Sequence, residues 1–223
     1  MDTVAERGLW LGPEDRAAHR GDLATFVDRV IRLDDAAVIR LRARSAGLLT
    51  AWVATGFDVL ASRVVVGTVR PNDLSVGADE LARGLSAMDA SGYVDPGFSM
   101  DSAWRGALPP ESGFTHLEDV PAGVLLDLAQ RGARLAKEHS SSYGPPVSLL
   151  DQEVIRVSSA GADVGLPMRC VFALTAMGFL PQSADAIDAE EIIRVRILPA
   201  WLRVDARFGS VYRRRGNPAL VLK

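Results

Sequence analysis

Cysteine is nearly absent: Cys170 is the single one in 223 residues, so no internal disulfide can hold the chain together. Its place inside an apolar run fits a structural thiol in a reducing compartment. Histidine is scarce as well, and His19, His116 and His139 stand at separations that match no zinc-ligand spacing, which argues against a metal centre. The glycines are scattered, with neither a GxGxxG run nor a Lys-Ser/Thr pair at a strand-to-helix turn, so no glycine loop that would cradle the phosphates of a nucleotide cofactor is expected. Ser140, Ser141, Ser142, Ser158 and Ser159 lack the G-x-S-x-G context of an activated nucleophile. Long apolar stretches are missing too. The longest, 166–180, is interrupted by Arg169 and falls short of the roughly 20 residues a bilayer requires. Residues 1–20 carry Asp2, Glu6, Glu14 and Asp15, where a signal peptide needs an unbroken apolar core. The expectation is a cytoplasmic protein with no membrane span, no metal and no cofactor.

What is present is an ordinary globular composition, 48% apolar and 24% charged, enough to build a core in one larger domain or two of about 110 residues. Lysine has almost vanished in favour of arginine, 2 against 23. With the abundance of Ala, Val, Asp and Gly, this reads first as the codon usage of a GC-rich bacterial genome; bidentate anion recognition by arginine is the second reading. Charge is strongly segregated. Residues 192–223 hold seven arginines and one lysine against the single acid Asp205, about +7, while the preceding 191 residues sum to about −10. One end of the chain therefore faces something acidic, either a polyanion or the protein's own acidic body.

Periodicity divides the chain into alternating helical and extended stretches. Leu23, Phe26, Val27, Val30 and Leu33 recur at helical spacing, predicting a helix over 23–33 capped by Gly21-Asp22. After Asp34-Asp35 the period becomes two, with Ile39, Leu41 and Ala43 on one side and Arg40, Arg42 and Arg44 on the other. Val-rich segments 48–55 and 57–69 complete an antiparallel meander closed by Pro71-Asn72-Asp73. A short helix over 78–88 follows. The stretch 91–113, rich in Gly, Pro and Ser, reads as a linker that Trp104 can pin to a neighbour. Beyond it, Pro121 starts a helix over 122–139 with Leu125, Leu128, Ala129, Gly132, Leu135 and Ala136 as its stripe, broken at 140–146. A modest hairpin spans 153–158 and 162–165 around Ala160-Gly161, leading into a helix over 167–179. A second meander comprises 192–198, 201–207 and 210–214, and the chain closes in a polar stub. The fold class is α+β. Its two modules, 1–90 and 114–223, each combine an apolar helix with a short antiparallel meander. A faint internal repeat supports the pairing: V-I-R-L-R at 38–42 answers I-I-R-V-R at 192–196, and V-x-x-x-F recurs at 53–57 and 204–208.

The candidate binding residues lie on the second meander. Period two puts Arg194 and Arg196 on one face, with Trp201, Arg203 and Arg207 beside them on the next strand and Arg213, Arg214 and Arg215 extending the surface. Guanidinium forks neutralise phosphates and an indole stacks on a base or sugar, as single-strand platforms do. The competing reading of the same residues is a solvated sheet face paired to acids such as Glu190 and Glu191. A winged-helix reading fails, because the helix over 167–179 is apolar on nearly every side and so belongs in a core or a subunit contact. His116 with Glu118 and Asp119 is the best acid–base cluster, and a loop leading to a helix N-terminus explains it more simply. The function expected is therefore non-catalytic: a binding or regulatory protein working through a macromolecular interface, with a protein partner or further copies of itself. Two readings stand beside it, a nucleic-acid or phosphate-ligand binder using the Arg/Trp face, and an enzyme with its site between the modules.

Overall fold

The computed structural model describes residues 7–12, 15–139, 145–159, 162–181, 188 and 190–216. The turn expected at Ala160-Gly161, most of the break at 140–146 and nearly all of the terminal stub lie outside the described residues. The chain forms two compact units, one from Met1–Gly56 with Ser62–Ala107, the other from Phe57–Ala61 with Leu108–Lys223.

The first unit runs β1 (Gly8–Leu11), α1 (Arg16–Leu33), β2 (Val38–Ala43), β3 (Leu48–Thr55), β4 (Val59–Arg70), β5 (Asp73–Gly77), α2 (Ala78–Ser86) and β6 (Tyr93–Val94), the first residues of β4 being grouped with the second unit. Leu23, Phe26, Val27 and Val30 of α1 are buried, as their spacing demands. The helix nevertheless starts a turn and a half before the expected cap, so Gly21 and Asp22 lie in its interior. Glycine costs a helix about 1 kcal/mol. Here the Asp22 carboxylate takes an ion pair from Arg63 of β4 at 2.6 Å, a tertiary contact that local propensity cannot reveal. Ile39 and Leu41 face the core while Arg40 and Arg42 face outward. The sequence predicts no strand over 74–77, and β5 overlaps the expected closing turn only at Asp73. It pairs with β2, Leu41 opposite Leu74 and Arg40 opposite Ser75, and because Leu74, Ser75 and Val76 are all buried it shows no alternation to read.

The second unit contains β7 (Thr115–Pro121), α3 (Ala122–His139), the single turn α4 (Val147–Leu150), β8 (Glu153–Ser159), β9 (Ala162–Pro167), α5 (Met168–Ala176), β10 (Ile192–Leu198), β11 (Trp201–Ala206) and β12 (Gly209–Arg214). Met168 through Leu174 of α5 are buried without exception, so this helix is a core element of its own unit. β7 replaces the expected loop around His116.

One pairing rule governs both units. The strand before each helix pairs with the strand after the other helix: β5 with β2 and β1 with β6 in the first unit, β7 with β10 and β9 with β8 in the second. Helices α1 and α2 pack together, as do α3 and α5. Each unit thus joins a long repeat, strand-helix and three strands (β1-α1-β2-β3-β4 or β9-α5-β10-β11-β12), to a short strand-helix-strand repeat. The sequence echo falls on equivalent places. Residues 38–42 and 192–196 open the strand after the helix of each long repeat, and 53–57 and 204–208 run from the following strand into its turn. The fold is α+β, mainly antiparallel, with two modules of helices and meander.

Candidate binding surface

β10, β11 and β12 form an antiparallel meander whose inner face carries Ile193, Val195, Val204 and Val211, all fully buried. Their neighbours along each strand must therefore point to the opposite face. The register sorts that face into rows. Arg194 stands opposite Asp205, which stands opposite Ser210; Arg196 opposite Arg203, then Tyr212; Leu198 opposite Trp201, then Arg214.

β7 adds a fourth strand and joins two groups that are far apart in sequence. Asp119 lies opposite Arg194 and His116 opposite Arg196, with a bulge between them. The bulge turns Leu117 inward three residues from buried Val120 and brings His116 onto the outer face. His116 Nε2 lies 2.8 Å from Asp119 Oδ1, an exposed pair on an open sheet face and not in a cleft.

The centre of this face is internally neutralised. Asp205 accepts from Arg203 Nε at 2.6 Å and Ser210 Oγ at 2.5 Å, and Arg196 Nη1 is 3.3 Å from its other oxygen. The Arg203 guanidinium lies against the rings of both Phe114 and Tyr212, 5.5 and 5.4 Å from their centroids, and the two rings meet edge to face at 6.0 Å. Trp201 is only 9% exposed, which leaves little indole surface for stacking. Arg213 alternates to the other side of the sheet and donates to Asp151 at 3.1 Å, while Arg215 turns back to the Leu198 carbonyl at 3.3 Å. Arg194, Arg207 and Arg214 are exposed and make no ion pair among the described residues; the Arg207 guanidinium lies 5.3 Å from the Phe208 ring.

A hollow of 540 Å³ opens beside Arg194 and Arg207, and Asp188, Glu190, Glu191 and Asp205 share its wall. Acids outnumber arginines there, so the hollow itself is not a phosphate pocket. Arg40 on the first unit's sheet repeats the central motif. It makes a forked pair to Asp73 at 2.6 and 2.7 Å and lies 5.8 Å from the Trp104 ring. Among the described residues no cluster of His, Cys, Asp and Glu has a metal-binding arrangement, and no helix is long and apolar enough to cross a membrane.

The chain is similar to bacterial sliding clamps: to the Caulobacter crescentus polymerase III beta subunit at 10% identity and TM-score 0.55, over 96% of this chain and 67% of that one. The Bacillus subtilis DNA polymerase sliding clamp matches at 12% identity and TM-score 0.55, over 98% and 68%, and the Thermotoga maritima beta subunit at 11% and 0.52, over 93% and 64%. The chain thus spans about two thirds of the length of these clamps, and at such identity the likeness is one of fold. In sequence, residues 4–106 match the model of a domain of unknown function (DUF8010) and residues 109–218 that of a second (DUF8185). No curated protein matches.

Proposed function

We propose that the chain is a non-catalytic binding protein with clamp-like domains, acting through contacts with other macromolecules, as further copies of itself and with a protein partner. The observation that carries this reading is the fold likeness to polymerase III beta subunits along more than nine tenths of the chain. The internally paired centre of the sheet face accords with it. By analogy with the clamps' name, DNA polymerase III of the same cell is the first partner to test. Sedimentation at micromolar concentration is expected to give more than one copy per particle, and capture from the native host to return a defined protein. A monomer that captures nothing overturns the proposal.

Exposed Arg194, Arg207 and Arg214 favour a second reading, a nucleic-acid or phosphate-ligand binder, to which Arg196, Trp201, Arg203, Arg213 and Arg215 would contribute mainly by shaping the sheet. Three phosphate contacts give a logarithmic salt slope of about −2 to −3. A gel shift at two salt concentrations tests this directly, and no shift at low salt removes it.

A further inference from the structure

β5 is the terminal strand of the first unit's meander, in the order β5-β2-β3-β4. Terminal strands present unpaired backbone groups that recruit other strands unless something covers them. Within Asp73–Gly77 there is no lysine, proline or bulge to discourage pairing, and Leu74, Ser75 and Val76 are all buried. Both polar groups of the central residue are nevertheless occupied. The Ser75 carbonyl accepts from the Met100 N–H at 2.7 Å, and the Ser75 N–H donates to Asp101 Oδ1 at 2.6 Å. These two bonds are the ones that an added antiparallel strand would supply, with a carboxylate oxygen in place of a carbonyl.

The covering segment is held from several sides. Ser99 Oγ donates to the other Asp101 oxygen at 2.7 Å, a 3-10 turn over Asp101–Ala103 follows, and the Trp104 ring lies against Arg40. Its approach path is shaped by two glycines. A side chain at Gly84 of α2 would collide with the Asp95 carbonyl, and at Gly97, where φ is +83°, an added Cβ would lie 2.5 Å from Glu80 Cβ. Only glycine meets both demands.

We infer that residues 99–104 are an internal cap that occupies the β5 edge in place of an added strand, and that removing the cap lets this edge pair with β5 of a second copy of the chain. Antiparallel self-pairing centred on Ser75 sets each Asp73 opposite a Gly77, so the carboxylates do not face one another, and the twofold makes both edges bond reciprocally.

The test uses the full chain carrying Met100→Pro with Asp101→Ala, which removes the donor and the acceptor together, beside Asp101→Asn, which keeps an acceptor oxygen. The expected result is Ser75 amide exchange about tenfold faster than wild type at low concentration, where the edge is uncapped and unpaired, and slower again as concentration rises and the particle mass in sedimentation velocity doubles relative to wild type. Asp101→Asn follows wild type in both. Faster exchange without added mass overturns the inference, and so does unchanged exchange. Protected β2 and β3 amides certify the fold. If the double variant does not fold, Ser99→Ala loosens the carboxylate alone and is read by the same two criteria in the same direction. Because every comparison is made with wild type, the outcome is independent of whether the wild-type chain associates as proposed above.

Discussion

Arg169 is the second residue of α5 and looks, in the sequence, like a flaw in an apolar run. It is buried because every end of its guanidinium has a partner: Nη1 donates to the Phe57 carbonyl at 2.6 Å, and Nε and Nη2 to Asp151 Oδ1 at 3.0 and 2.5 Å. A buried charge persists only when paired in this way. Replacing it by methionine keeps much of the volume but strips a buried carbonyl of its donor and leaves Asp151 with Arg213 alone. The expected cost is about 2–4 kcal/mol, read as a lower urea midpoint; an unchanged midpoint would show the network to be inert. The next residue, Cys170, is fully buried, and burial pushes its thiol up to about 12 against the opposing charges of Arg213 and Arg169. A raised thiol pKa means that the reactive thiolate is scarce at any ordinary pH. Native protein at pH 8 is therefore expected to resist alkylation that goes to completion in denaturant, with labelling followed by mass.

At the scale of elements, legibility followed alternation. β2, β10 and β11 carry clean inside-outside patterns, and their boundaries and inner residues follow from the sequence within a residue or so. β5 is buried on every central residue and β7 places its buried side chains three apart across a bulge, so neither displays the period that identifies a strand. The arginine face is half legible for the same reason. Spacing puts Arg194 and Arg196 together and sets Arg203 beside Asp205, but the register that brings His116 and Asp119 alongside them joins strands more than seventy residues apart, which no local pattern encodes. Alternation applied to the final arginines separates Arg213 from Arg214. Asp205 is the hinge of the face's electrostatics. Asp205→Asn is expected to lower stability by about 1–3 kcal/mol through weakened bonds to Arg196 and Arg203, while freeing two cations on an exposed sheet. If the face meets polyanions, the variant binds single-stranded DNA more tightly with a steeper salt dependence. Weaker or unchanged binding in a gel shift counts against that use of the face.

At the scale of the molecule, the order of repeats is long, short, short, long, and the division into two compact units does not follow the chain. Residues Phe57–Ala61, the end of the turn after β3 and the first residues of β4, group with the second unit. The Phe57 carbonyl takes the Arg169 Nη1 bond and its ring packs 6.0 Å from that of Phe172. A fragment of residues 108–223 consequently lacks part of its own core. Loss of a charge-assisted bond and an aromatic contact is expected to lower its stability by about 2–4 kcal/mol relative to the same unit in the intact chain. The two perturbations share one bond, so they should not add. Arg169→Met removes a partner for Phe57 in the intact chain, but in the fragment that partner is already missing, and the substitution should cost less there. Denaturation of all four forms gives the coupling directly. Equal costs in fragment and intact chain would mean that the Phe57 segment contributes nothing through Arg169, and that the second unit is complete without it.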